Sequence, residues 1–415
     1  MHIPYFLDRS SRTMASISSA LGTKMEKAFN DNGMEGCQQL IRQSLDGWQD
    51  MNIKIGVIGS SGSGKSSLIN ALRDLNADQG GAAKVGSNET TIKPTEYPHP
   101  KNEQLVVVDL PGVGTPKFPR DSYLDAIEVD KYDFFLLVAQ KRFYENDGWL
   151  AKELIQRKKN FFFVRTHIDN EVENDKKAHP STHNKEQLIA DIRRKTEAEL
   201  EQNVPETSMM LFLIDNYKPA QYDFPDLREQ LIDKFPDLKK EVLLLTIRSS
   251  TRSMLDKKVK YLRSRIWKAA ALSGTFGLVP IPGTSFVADA VILVRETKFY
   301  YQQLGLDSES LRRLSQETGA EFSTLQTMVE ETICVNIMEF EAKNFLALIS
   351  SLGIAMAVFQ AESAVEQLVA LVPVIGQAVA GAMSSVTTYW ILGEILDKMY
   401  DVAKEVIELA TKQLQ

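Results

Sequence analysis

One run, GSSGSGKS from Gly59 to Ser66, restricts what this chain can fold into more than any other feature. It follows the apolar run IKIGVI, Ile53 to Ile58, and leads into SSLINALRDL, whose apolar residues recur at helical spacing. The run matches G-x-x-x-x-G-K-[ST] in the strand-loop-helix setting that gives that pattern its meaning, which a merely flexible Gly/Ser loop would not explain. Gly59, Ser61, Gly62, Ser63, Gly64, Lys65, Ser66 and Ser67 are therefore the candidate phosphate cradle. The glycines allow close backbone approach, so that consecutive N–H groups and a helix N-terminus face phosphate oxygens. Lys65 would reach the β- and γ-phosphates, and Ser66 would supply a ligand to Mg2+.

The next few segments carry the partners that such a loop requires. LVVVD (Leu105 to Asp109), DFFLLVA (Asp133 to Ala139), NFFFVR (Asn160 to Arg165) and MMLFLI (Met209 to Ile214) are continuous apolar runs separated by helical stretches. That pattern predicts an α/β domain with a mostly parallel sheet covered on both faces. DLPG, Asp109 to Gly112, has the D-x-x-G form, which sets the Asp109 carboxylate near magnesium and the Gly112 amide near a terminal phosphate. The rival reading is a plain Asp-Pro-Gly turn. Thr166-His167-Ile168-Asp169 matches the T/N-K-x-D pattern of guanine-binding P-loop proteins except at His167. Asp169 can accept from both N1–H and N2–H of guanine, a donor pair that adenine lacks. His167 stands for a lysine whose stem packs on the nucleotide, and an imidazole can stack in its place. Asp215 and Asn216 occupy the position of a second base-contacting loop, without an S-A-K-like sequence.

Lys plus Arg total 48 against 55 Asp plus Glu, a formal net charge of -7, so nothing draws the whole chain toward nucleic acid and any anion must be met locally. Cys37 and Cys334 are too few and too far apart for a disulfide framework or a cysteine zinc site, which suits a reducing compartment. MHIPYFLDRSSR shows no secretory pattern, and His2 stands where myristoylation needs glycine, so a cytoplasmic location is expected. Residues 13 to 48 read as helical around a break at Asp31-Asn32-Gly33, and beyond Pro236 only helical periodicity continues. The expected division is an N-terminal helical segment, 1–50, an α/β domain, 51–236, and an all-α C-terminal domain, 237–415. Ala269 to Ala288, Phe345 to Ala361 and Gln367 to Gly393 carry no charge and approach membrane-spanning length, but Pro280, Pro282, Gly283, Pro373 and Gly376 interrupt two of them, so a buried bent hairpin is an equal account. Asp256 to Lys268 is basic, with Val259, Leu262 and Ile266 on one side. It reads as a core-facing stripe with a solvated basic face, the alternative being contact with anionic lipid. His179 and His183 are spaced i,i+4, but Pro180 and the lack of a third ligand argue against a metal site.

GSSGSGKSSLINALR (Gly59 to Arg73), GGAAKVG (Gly80 to Gly86), TTIKPTEYPHP (Thr90 to Pro100), DLPGVGTPKFPRDSYL (Asp109 to Leu124), YDFFLLV, FFFVRTHID and YDFPDL (Tyr222 to Leu227) together resemble the immunity-related GTPases, the interferon-inducible, dynamin-like family of vertebrate cell-autonomous defence. The resemblance covers nearly the whole chain. It implies a Ras-like P-loop GTPase domain followed by helices, Mg2+ as cofactor, GTP and GDP as substrate and product, and the lysine-bearing subgroup through Lys65. It also implies that Thr91 is the switch threonine meeting magnesium and γ-phosphate, and that Glu89 is a glutamate at a nucleotide-facing dimer contact. The expected activity is Mg-dependent GTP hydrolysis with nucleotide-dependent self-assembly at the GTPase face, peripheral on intracellular membranes, with no nucleic-acid partner. The rival readings are a GTP- or GDP-binding scaffold with little turnover and a chain whose C-terminal apolar segments insert into a bilayer.

Overall fold

In the computed structural model the described residues are 24, 27–28, 30–33, 35–36, 39–41, 43, 45–86, 93–113, 118–204, 210–276, 284–333 and 385–412. Contacts divide the chain into two compact units, one of residues 49–248 and one formed by 1–48 with 249–415.

The first unit is built on a six-stranded sheet ordered β2-β3-β1-β4-β5-β6, with β1 Ile53–Gly59, β2 Thr95–His99, β3 Asn102–Asp109, β4 Phe134–Ala139, β5 Asn160–Arg165 and β6 Leu211–Leu213. Every pairing is parallel except β2 with β3. All six residues of β4 are buried, as a central strand covered by helices on both faces requires. Side-chain parity divides the two covered faces. Val106, Val108, Phe135 and Leu137 join one core layer, while Phe134 turns the other way onto Phe162 (ring centroids 4.7 Å) and Phe235 (5.7 Å). The helices are α1 Lys65–Leu72, α2 Arg120–Ala126, α3 Glu145–Gln156, α4 Ile168–Ala178, α5 Lys185–Asn203, α6 Phe224–Asp233 and α7 Asp237–Thr246.

Register fixes where a site can form. Val57 pairs with Asp109 on one side and Leu136 on the other, and Ala139 pairs with Arg165, so Gly59, Asp109 and Thr166 all emerge at the carboxyl edge of the sheet. That edge is where open α/β sheets bind ligands. Strand β2 was not expected from the sequence. It is a half-exposed edge strand interrupted by Pro98, which an edge position tolerates.

In the second unit the described residues form α8 Arg252–Phe276, α9 Thr284–Gln303, α10 Ser308–Thr318, α11 Phe322–Ile333 and α12 Ser385–Lys412. No described helix is long and apolar enough to cross a membrane. Phe345 to Ala361, the first part of Gln367 to Gly393, and Pro280 to Gly283 lie outside the described residues. Within α8 the basic stretch does bury Val259, Leu262 and Ile266, but its charges are not all solvated, because Lys258 and Arg265 are buried as well. Arg265 Nε and Nη2 donate to Glu296 Oε2 at 2.8 Å and Oε1 at 2.9 Å, and the guanidinium lies 4.3 Å from the Phe299 ring centroid. The same group donates to Asp46 and to the Leu45 carbonyl, which fastens the N-terminal helical residues to α8 and α9.

A buried fork of this kind loses more from removal of one partner than from removal of both. Glu296→Ala should lower unfolding stability by about 3 kcal/mol, because the buried guanidinium keeps only Asp46 as a charge partner, while Arg265→Met with Glu296→Leu should recover most of the loss. Urea denaturation followed by circular dichroism measures both variants. A single-variant loss below about 1 kcal/mol would show that the pair is dispensable.

Candidate functional site

The loop from Gly59 to Gly64 is held open by backbone shapes that other residues could not take. Gly62 and Gly64 have φ of +77° and +83°, in the left-handed region that glycine enters without strain. A Cβ on Gly59 would sit 2.2 Å from the Val138 carbonyl oxygen, so β1 can end beside β4 only with a hydrogen there. Helix α1 starts at Lys65 with Gly64 as its cap and no side chain capping it, which leaves first-turn N–H groups for an anion. Lys65 folds back over the loop, its Nζ donating to the carbonyls of Gly59 (3.0 Å) and Ser60 (3.1 Å). Burial pulls the ammonium below the usual lysine range, and the nearby Asp109 charge opposes that shift.

Asp109, the last residue of β3, is buried at the foot of this loop. The chain after it is pinned by Leu110 N–H to the Val57 carbonyl (2.9 Å), Tyr123 Oη to the Pro111 carbonyl (2.7 Å) and Asn146 Nδ2 to the Val113 carbonyl (3.1 Å). Gly112 lies against Gly59, where a Cβ would meet the Gly59 carbonyl oxygen at 3.5 Å. Glu89 and Thr91 fall outside the described residues. The chain leading toward them is anchored by Asn70, whose amide exchanges two hydrogen bonds with the Ala83 backbone at 2.7 and 2.8 Å.

Two further loops close on the cradle from the β5 and β6 ends. Thr166 Oγ1 donates to the Ser63 carbonyl at 2.7 Å, and Asn216 Nδ2 donates to the Gly64 carbonyl at 3.0 Å. Thr166 has a single hydroxyl proton and spends it on Ser63, so His167 Nδ1, 2.7 Å away, donates to Thr166 Oγ1. His167 adopts φ +60°, and burial pulls its imidazole toward the neutral form against the attraction of Asp169. Asp169 lies in the first turn of α4. Asp215 is almost wholly buried, with its Oδ1 accepting from Tyr217 N–H at 2.8 Å. Burial, with added repulsion from Asp169, pushes its carboxyl up to about 6.

These pieces enclose a cavity of about 250 Å³ lined by Gly62, Gly64, Lys65, Ser66, Ser67, Val85, Gly86, Asp109, His167 and Tyr217. The structure thus brings together the glycine loop, Asp109 and His167, with Asp169, Asp215 and Asn216 on the adjoining loops. Ser66 and Asp109 offer a hydroxyl and a carboxylate, the hard oxygen donors that suit Mg2+ when phosphate oxygens and water complete its shell. Tyr217, Val85 and Gly86 were not singled out in the sequence. Tyr217 could have been found from its place one residue after the second loop. His179 and His183, apart from this site, both donate through Nδ1 to Asp175, at 3.0 and 2.7 Å, and tie down the turn between α4 and α5.

The family profile described as Interferon-inducible GTPase (IIGP) matches residues 18–366. The chain belongs to the interferon-inducible GTPase family. It is 32% identical over 383 residues to Interferon-inducible GTPase 5 of Rattus norvegicus, covering 92% of this chain and 81% of that protein. It is also 34% identical over 315 residues to Interferon-inducible GTPase 1 of Mus musculus, covering 76% of each. Among solved structures, Era in complex with MgGDPNP and a segment of 16S ribosomal RNA overlays at a TM-score of 0.29 with 16% identity, over 45% of this chain and 58% of that one. As a member of that family the chain is a GTPase, and its described residues form an α/β domain that carries the P-loop and a helical C-terminal region.

The raised Asp215 carboxyl of this GTPase has a consequence for stability. In the unfolded chain Asp215 titrates at its ordinary 3.8, against about 6 when folded. Between these values the folded state holds more protons, so stability falls as pH rises through the window and the full penalty persists above it. Asp215→Asn keeps an acceptor for Tyr217 N–H and removes the charge. It should stabilise the protein at pH 7.5 by on the order of 1–3 kcal/mol and give little gain below pH 4. Thermal melts of both proteins across pH 4–8 check this, and an equal gain at every pH would assign the effect to packing instead.

Proposed function

We propose that this chain is a magnesium-dependent GTPase that hydrolyses GTP to GDP, self-assembles through its GTPase face in the nucleotide-bound state, and acts in cell-autonomous immunity at intracellular membranes. The observation that carries the reading is the single cavity bordered by Lys65 and Asp109 and by the His167 and Asp215–Tyr217 loops. The names of the relatives, interferon-inducible GTPases, support the setting in immunity.

In this reading the uncapped first turn of α1 and the loop amides bind the phosphates, and Lys65 supplies the positive charge that meets the β- and γ-oxygens. Ser66, Asp109 and Thr91 would hold Mg2+, which neutralises charge on the β- and γ-phosphates when bound. The Gly112 amide meets the γ-phosphate, Asp169 accepts from guanine, and Asn216 with Thr166 keeps the base loops against the cradle. Water adds to the γ-phosphorus as its bond to the β–γ bridging oxygen breaks. After Gly112 comes Val113-Gly114-Thr115, so no glutamine stands where one orients the attacking water in Ras-like enzymes. A lone monomer is therefore expected to turn over slowly, on the order of 10⁻⁴ to 10⁻² per second. Glu89 from a facing GTPase unit would order the nucleotide and raise the rate.

Two measurements test this. Lys65→Ala should abolish tight binding and turnover of GTP, and Asp169→Asn should shift preference from GTP toward xanthosine triphosphate, whose base presents an acceptor where guanine donates. Calorimetric titration with GTP, XTP and ATP reads both, and wild-type affinity for ATP equal to that for GTP would sink the guanine assignment. Specific GTPase activity should rise with protein concentration for wild type and stay flat for Glu89→Ala at unchanged affinity. A flat, monomer-like rate for wild type, without GTP-dependent light scattering, would favour a nucleotide-loaded scaffold.

A further inference from the structure

Four large apolar or aromatic side chains among the described residues are strongly exposed, and two of them, Tyr217 at 69% and Val85 at 45%, line the candidate cavity. An exposed aromatic ring is unremarkable alone, but Tyr217 is held from both ends. Its N–H donates to Asp215 Oδ1 at 2.8 Å, and the preceding Asn216 is fixed to the Gly64 carbonyl at 3.0 Å. Its hydroxyl reaches Ser67 Oγ at 3.2 Å, in the first turn of α1. The ring therefore runs from the Asp215 loop to the first turn of α1, along one side of the cavity.

We propose that Tyr217 is the purine platform of this site, with its ring stacking on the nucleobase of GTP and GDP, an inference that rests on the guanine-nucleotide reading above. Stacking on a phenol ring buries the more exposed of the two large side chains that the cavity leaves in water, and a planar purine offers the matching π-face. His167, oriented through Thr166 and held toward its neutral form, supplies a second flat wall on the neighbouring loop. The two side chains have different duties from Asp169. They grip any purine, and the carboxylate selects guanine.

The test compares wild type, Tyr217→Ala and Tyr217→Phe by calorimetric titration with GDP, IDP and ribose 5′-triphosphate, a probe that keeps sugar and phosphates and lacks the base. Tyr217→Ala should weaken GDP and IDP by roughly tenfold or more, to the same extent, and leave ribose 5′-triphosphate within about twofold. Tyr217→Phe should stay within about threefold of wild type for all of them, because the ring and not the hydroxyl does the stacking. Unchanged GDP affinity in Tyr217→Ala would overturn the proposal. So would an equal loss for ribose 5′-triphosphate, which would mean that the loop collapsed or that the residue serves the phosphates. Wild-type affinity for ADP equal to that for GDP would instead defeat the guanine reading, and the platform would still predict the tenfold loss on ADP.

Discussion

Two side-chain hydrogen bonds hold distant loops onto the glycine loop, and the site depends on them. Thr166 Oγ1 reaches the Ser63 carbonyl across 103 positions of sequence, and Asn216 Nδ2 reaches the Gly64 carbonyl across 152. Each gives a carbonyl of the glycine loop a side-chain donor. Gly64 makes this possible through its size as well as its torsion, since a Cβ there would come within 2.9 Å of the Asn216 amide and 3.1 Å of the His167 ring. The loops after β5 and β6 are therefore fastened to the glycine loop by side chains as well as by the sheet.

The sheet sets the scale on which this works. Parallel pairing of β1 with β3 and β4, and of β4 with β5 and β6, delivers each loop to the same edge. Burial on both faces leaves the central strands no alternative register, because a slip would expose continuous apolar runs. A buried ion pair makes a second anchor behind the cradle. Arg228 Nη2 donates to Asp74 at 2.8 Å and to the Ala71 carbonyl at 2.8 Å, so α6 is fastened to the end of α1. Arg73, beside it, donates to Pro98 and Gly81 and thereby binds β2 and the Gly80 to Gly86 loop to the same helix end.

Much of this was legible in residue order because its causes are local. A glycine loop between an apolar strand and a helix, a strand ending in Asp109 and another ending before Asp169 each carry their physical reason within a few residues. The rest depends on long-range pairing. Strand β2 has no apolar run and includes Pro98, and it exists because β3 offers an open edge. Arg265 looked like part of a solvated basic face, and only the fold reveals Glu296 and Asp46 as its partners. Tyr217 was marked only by its place one residue after Asp215-Asn216. It became interpretable once Asn216 was seen to hold its loop against Gly64.

The departure at His167 and the raised carboxyl at Asp215 are linked by charge. A lysine at that position would bring a permanent positive charge beside Asp169 and Asp215 and hold both ionised. The imidazole is driven toward its neutral form by burial, and its Nδ1 proton is directed at Thr166, so it contributes little countercharge. Lys218 is the cation beside Asp215, and its Nζ stands 3.9 Å from Oδ2, with two-fifths of its side chain in solvent. Two carboxyls thus stand on adjoining loops with weak compensation, and the more buried one is pushed up to about 6. Below about pH 6 a protonated Asp215 can donate to Asp169 and leave that carboxylate's second oxygen free to accept. At neutral pH, above that value, Asp215 is largely ionised, so the absence of a lysine charge leaves a repulsion between these two loops that the fold carries rather than removes.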